Sequence, residues 1–148
     1  MSAAPLDHSK LTPLVGYVAS RAALVLRKDF ERSLGPLGLK VLDYSLLVLV
    51  ASNAEVNQKQ LGEALDISAP NMAITIDRLV ERGWVERVRS TQDRRAMIIH
   101  LTAAGRELVK RAQKIAATME EQSLARLSPA ERALLVELLV KVGLRAAA

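Results

Sequence analysis

The stretch from 57 to 101 constrains the fold of this chain more than any other. It holds two short helix-forming segments, a three-residue link, a glycine stop and an arginine-rich run. Asn57 is followed three residues later by Gln60, a pairing that resembles a capping box, in which two side chains close the first turn of a helix reciprocally. Leu61, Ala64 and Leu65 give that segment one apolar face. Asp66, Ile67 and Ser68 form the link. Ser68 suits the N-cap of a second helix, which tolerates Pro70 in its first turn, runs to about Arg82 and stops at Gly83. Runs of β type at 84–89 and 95–101 then flank the polar residues 90–94, which reads as a hairpin.

Two short helices, a tight turn and a basic hairpin make the winged helix-turn-helix pattern. The flanks are helical. Residues 11–30 carry an apolar stripe through Leu11, Leu14, Val15, Val18, Ala22, Val25 and Leu26, and the glycines and proline of 33–38 end it. Residues 39–51 are apolar nearly all round, as in a helix buried on most sides. Thr102 caps a long helix predicted over 103–126. Ser128 and Glu131, with Pro129 between, open a last helix carrying Leu134, Leu135, Leu138, Leu139 and Val142. The expected fold is mainly α with a small β-hairpin wing. Its predicted division is 1–35 and 103–148 as N- and C-terminal helical arms around a lobe at 36–102.

Composition narrows the function classes. Half of the 148 residues are apolar but only 3% are aromatic, so the core must be built from Leu, Val, Ile and Ala, which favours helices. The absence of cysteine excludes disulfides, thiolate metal sites and sensing by cysteine oxidation. The polar first ten residues lack a signal-peptide pattern, and the longest apolar run, 41–51, is too short for a membrane span and is interrupted by Asp43. A cytoplasmic protein without a membrane partner is the expectation. The net charge of +5 suits a polyanionic partner but alone decides little.

Projection of the second short helix places Met72, Ala73, Ile76, Leu79 and Val80 on one face, toward the core. Asn71, Ile74 and Arg78 point the other way, with Thr75 on the flank. An outward isoleucine fits a face that meets thymine methyls in a major groove, where Asn71 pairs with adenine or phosphate and Arg78 with guanine or phosphate. An ordinary surface with one stray apolar residue fits the same pattern. In the hairpin region, Arg82, Arg87, Arg89, Arg94 and Arg95 stand against Glu86 and Asp93. Arginine suits phosphate forks and narrow minor grooves. The bland alternative is a solvated edge whose charges block aggregation.

The run from Asp93 through Arg95, the apolar strand to Leu101-Thr102, and Gly105-Arg106 resembles the wing signature of the MarR family of regulators. Leu61-Gly62-Glu63-Ala64-Leu65 and Leu79 through Val85 resemble that family's helix-turn-helix. The resemblance implies a homodimer whose terminal helices interlock, with Leu14, Val18, Leu134, Leu135, Leu138 and Leu139 in the interface. It implies a pseudo-palindromic double-stranded operator, contacted by Ser68, Asn71, Ile74, Thr75 and Arg78 from the recognition helix and by Arg87, Arg89, Asp93, Arg94 and Arg95 from the hairpin. Arg95 matches the minor-groove arginine, oriented by Asp93 through a charge-assisted hydrogen bond, and Arg94 a phosphate contact.

Many family members release DNA on binding a small aromatic or phenolic acid between arm and lobe. By that resemblance Tyr17, Arg21, Tyr44, Val48 and Arg106 are candidate ligand residues. Satisfied core tyrosines and an Arg21 ion pair across the dimer explain them equally. His8 and His100, the only histidines, are far apart in sequence, so no zinc site and no cofactor are expected. Two other classes compete with a ligand-responsive repressor. An enzyme finds no phosphate loop, nucleophile elbow or metal cluster here. A winged-helix protein-interaction module, or a DNA-binding regulator without a ligand, stays open, although the arginines of the wing favour DNA.

Overall fold

The computed structural model describes residues 6–93 and 95–144. Element order is α1 (Val15–Leu34), a 3-10 turn (Gly35–Leu37), α2 (Val41–Ser52), α3 (Gln58–Leu65), α4 (Ala69–Glu81), β1 (Val85–Arg89), β2 (Met97–Leu101), α5 (Ala103–Ala116) and α6 (Pro129–Gly143). The mainly helical chain with one antiparallel hairpin matches the expected class. Residues 30–118 form one compact unit, and 6–29 with 119–144 belong to another. The whole of α5 thus falls with the lobe, whereas the sequence division had placed it with the arms.

Local chemistry explains the boundaries. Asn57 Oδ1 accepts from the Gln60 N–H and Gln60 Oε1 from the Asn57 N–H, both at 2.9 Å, so the predicted capping box forms. Ser128 and Glu131 close α6 in the same way, and Thr102 Oγ1 accepts from the Gly105 N–H at 3.0 Å. Gly83 takes a left-handed φ of 70° and ends α4, with the Trp84 N–H reaching back to the Leu79 carbonyl. Ser68 stands at the N-cap of α4, but its hydroxyl makes no capping bond.

Three predicted boundaries shift. The first helix begins at Val15, because 8–14 form turns closed by short-range bonds such as Leu11 N–H to the His8 carbonyl. It also continues past Phe30 to Leu34. The predicted helix over 103–126 ends at Ala116 and gives way to turns through 126. Buried anchoring stops with it: Leu108, Val109 and Ala112 are buried, and no residue from 113 to 127 is.

Every buried hydrophobic side chain among the described residues lies between Phe30 and Ala112. Leu46 and Leu47 of α2, Leu61 of α3, and Met72, Ile76 and Leu79 of α4 are buried together with Val85, Ile98, Ile99 and Leu101 of the hairpin, whose strands pack against these helices. In the hairpin Val85 pairs with Leu101 and Arg89 with Met97. The free edge of β2 is engaged by the α2–α3 link, where the Ile99 N–H donates to the Val56 carbonyl at 2.8 Å. Gly105 allows α5 to start against the hairpin, since a Cβ there would lie 2.0 Å from the Trp84 carbonyl oxygen.

Candidate nucleic-acid interface

Helix α4 presents two kinds of surface. Asn71 and Ile74 are exposed, and Ile74 keeps 65% of its surface in water, so the outward apolar residue is present as projected. Thr75 is a correction. It is buried, and its hydroxyl donates to the Asn71 carbonyl at 2.9 Å. Met72, Thr75, Ile76 and Leu79 follow the i, i+3, i+4, i+7 spacing of one stripe, so Thr75 belongs to the inward face.

Arg78 is a second correction. Its two terminal nitrogens donate to the two carboxylate oxygens of Asp43, at 3.0 and 2.6 Å. Asp43 is fully buried in α2 and also accepts the Lys40 N–H at 3.1 Å. A buried carboxylate needs a counter-charge, and a guanidinium fork matches it in geometry. The bond to Asp43 is also the main reason the Arg78 pKa is raised. The fork that a guanine would require is therefore engaged inside the lobe. Sequence reading noticed Asp43 only as a break in an apolar run, and its 35-residue separation from Arg78 left no local signal.

The hairpin arginines also divide. Arg82 donates to the Gly38 carbonyl at 2.7 Å and lies 4.6 Å from the Trp84 ring centroid. Arg87 pairs with Asp77 of α4 at 2.6 Å, so the hairpin is tied to the helix and this arginine is in part neutralised. Arg89 and Arg95 are exposed. Arg94 lies outside the described residues. Asp93 does not act as expected: its Oδ1 accepts the backbone N–H of Arg95 at 2.9 Å, so it shapes the tip and leaves the guanidinium alone. A short side chain two residues upstream reaches that amide more readily than the end of a long arginine.

Glu55, in the link between α2 and α3, is a charged residue that sequence reasoning missed. Its carboxylate accepts from the Thr91 hydroxyl at 2.8 Å and the Ser90 hydroxyl at 2.9 Å. These two bonds hold its pKa below the ordinary glutamate value. The signal that might have found it, a Ser-Thr pair at the end of β1, needs tertiary proximity to have meaning.

The ligand candidates fall in both units. Tyr17 and Arg21 lie on the first part of α1, where the Tyr17 hydroxyl is 2.6 Å from His8 Nδ1 and Arg21 is exposed. In the lobe, Tyr44 packs edge-on to Phe30 at 5.8 Å and burial raises its pKa. Val48 is half-buried. Arg106 donates to the Leu101 carbonyl at 2.8 Å and borders a cleft of about 220 Å³ with Asn53 and His100 that neither Tyr44 nor Val48 lines. Among the described residues no group of His, Asp or Glu is placed to hold a metal, and no single helix is long and apolar enough to cross a membrane.

The proposed interface residues Leu14, Val18, Leu134, Leu135, Leu138 and Leu139 are all exposed, and α6 buries no residue.

Comparison with known proteins accords with this geometry. Residues 37–96 match the family model for the MarR family. The chain is 33% identical over 115 residues to the HTH-type transcriptional regulator YwoH of Bacillus subtilis, covering 76% of this chain and 80% of that one. It is similar to the transcriptional repressor CouR bound to a 23-mer DNA duplex, with 34% identity, a TM-score of 0.86 and coverage of 94% and 99% of the two chains. It is also similar to CouR bound to p-coumaroyl-CoA, at 31% identity and a TM-score of 0.82, covering 95% and 99%. A helix-turn-helix with an arginine-tipped hairpin, matched over nearly its whole length by such proteins, is a gene regulator and not an enzyme: the chain belongs to the MarR family of DNA-binding transcriptional regulators.

Proposed function

We propose that the protein is a homodimeric repressor that occupies a pseudo-palindromic operator and leaves it when a small aromatic or phenolic compound binds. The observation that carries the DNA part is the outward face of α4, where exposed Asn71 and Ile74 stand beside a hairpin whose Arg89 and Arg95 are exposed. An isoleucine that keeps most of its surface in water has a use against thymine methyls. Ser68, whose hydroxyl makes no capping bond, is available to a backbone phosphate. Arg95 takes the minor groove, and Arg89 and Arg94 take phosphates. Arg78 and Arg87 act by holding α4 and the hairpin in place.

The dimer reading rests on Leu14, Val18, Leu134, Leu135, Leu138 and Leu139, which are costly to leave in water at about 25 cal/mol per Å² of apolar surface. In this reading the stretches 6–29 and 119–144 build the arm, and 30–118 hold the DNA-reading lobe. Two-fold symmetry then places half-sites about one helical turn apart. Repression and an aromatic effector are supported by the likeness to CouR, a repressor described with p-coumaroyl-CoA bound. Tyr17, Arg21, Tyr44, Val48 and Arg106 are the residues offered for that effector.

The test is a titration of the purified protein against DNA from upstream of its own gene, beside a scrambled duplex, at two salt concentrations. Selective binding that weakens with salt supports the DNA reading, and release by aromatic acids or their thioesters supports the effector. Equal weak binding to both duplexes would count against an operator at that place and favour a protein-interaction module.

A further inference from the structure

We propose that Glu55 is a positioning residue for the wing: its carboxylate holds the start of the hairpin turn, at Ser90 and Thr91, so that Arg95 is presented to DNA in a fixed pose. This rests on the reading of Arg95 as a DNA contact. A two-stranded hairpin alone is only marginally stable in water, and its tip is the part least supported by the core. Here the tip is tied back through a short chain of hydrogen bonds. Ser90, 5% exposed, donates its hydroxyl to Glu55 Oε2 at 2.9 Å. The same Ser90 oxygen accepts the N–H groups of Gln92 and Asp93, each at 3.1 Å. Thr91 adds its hydroxyl at 2.8 Å and its N–H at 3.4 Å to Glu55 Oε1.

The chain of bonds continues to the tip. Asp93 Oδ1 accepts the Arg95 N–H at 2.9 Å, and the Asp93 carbonyl accepts the Ala96 N–H at 2.9 Å. The Ala96 carbonyl then accepts the Ser90 N–H at 2.9 Å and closes the loop. One residue beyond Glu55, the Val56 carbonyl holds the edge of β2 through Ile99. Among the described residues, the side-chain hydrogen bonds of Glu55 all go to the wing. An ionised acceptor makes these bonds stronger than a neutral one would. Their use is preorganisation: an arginine on a fixed backbone loses less freedom on entering a groove than one on a mobile tip.

The experiment is a double-mutant cycle on operator affinity with Glu55→Gln and Arg95→Ala, together with thermal midpoint and dimer mass. Glutamine keeps the size of the side chain and removes its charge. Arg95→Ala is expected to weaken binding roughly tenfold. Glu55→Gln should weaken it roughly threefold with the mass unchanged and the midpoint within a few degrees of wild type, and the double variant should bind no worse than Arg95→Ala alone. Wild-type affinity in Glu55→Gln, or a loss that adds in full to that of Arg95→Ala, overturns the inference and leaves Arg95 as a contact. Wild-type affinity in Arg95→Ala overturns the wing reading and the inference together. Should Glu55→Gln lower the thermal midpoint by more than that, Thr91→Val, which removes one donor to the same carboxylate at an exposed position, replaces it in the cycle with the same expected outcomes.

Discussion

The two units of the chain treat the same kind of side chain in opposite ways. In the lobe, Leu46, Leu61, Met72, Ile76 and Leu79 are almost wholly withdrawn from water, and the large apolar residue left exposed on α4, Ile74, sits on the face proposed to meet DNA. In the other unit, Leu14, Val15, Leu24 and Val25 of the N-terminal stretch and Leu134, Leu138, Leu139 and Val142 of α6 all stay exposed. Polar chemistry divides in the same manner. The lobe spends buried or bridging ion pairs, Asp43 with Arg78 and Asp77 with Arg87, on fixing its reading elements. The ion pair of α6, Glu137 with Lys141, is a solvated pair one turn apart, of the kind that contributes little. A region that closes its own core specifies geometry. A region that leaves its apolar face open has surface to offer a partner.

The largest effect is expected at α6. Leu138→Asp or Leu139→Asp places a charge where the proposed interface would bury it, and the dimer dissociation constant should rise by roughly a hundredfold or more. Sedimentation equilibrium measures this, and an unchanged dimer would put those leucines outside the interface. Inside the lobe, Asp43→Ala leaves the Arg78 charge without its partner and should cost about 3 kcal/mol. The thermal midpoint should fall by roughly 6–12 °C while the dimer mass is retained. A shift of a degree or less would mean that the pair does not hold α4.

Gly105→Ala probes the close approach of α5 to the hairpin. Its Cβ would meet the Trp84 carbonyl, so a loss of about 2 kcal/mol is expected in chemical denaturation. Full stability would show that the α5 start can move aside. The smallest effect is one of pH. Bonds to Thr91 and Ser90 lower the Glu55 pKa from its ordinary 4.5. A depressed carboxylate stabilises the fold above its unfolded pKa, and that contribution disappears as pH falls through the folded value. Carboxyl-carbon NMR should therefore give Glu55 a midpoint below 4.5, with faster amide exchange at Gln92 and Asp93 as it protonates. A midpoint at or above 4.5 would argue against the brace.

Much of this architecture was legible in the residues themselves, because it is dictated locally. Asn57 with Gln60, Thr102 with Gly105 and Ser128 with Glu131 satisfy backbone groups within one helical turn, so their spacing alone marks the helix starts. Gly83 ends α4 through a backbone conformation that glycine adopts without strain. The stripe of Met72, Ile76 and Leu79 and the outward Ile74 follow from helical periodicity. Other features depend on residues far apart in sequence. Arg78 is drawn from the outward face by Asp43, and Arg87 by Asp77. Glu55 meets Ser90 and Thr91 only once the α2–α3 link lies along β2. Periodicity and capping act over a few residues and can be read in one dimension. The choice of partner for a buried or bridging charge is made by whichever opposite charge the packed fold brings within reach, and only the tertiary structure decides that.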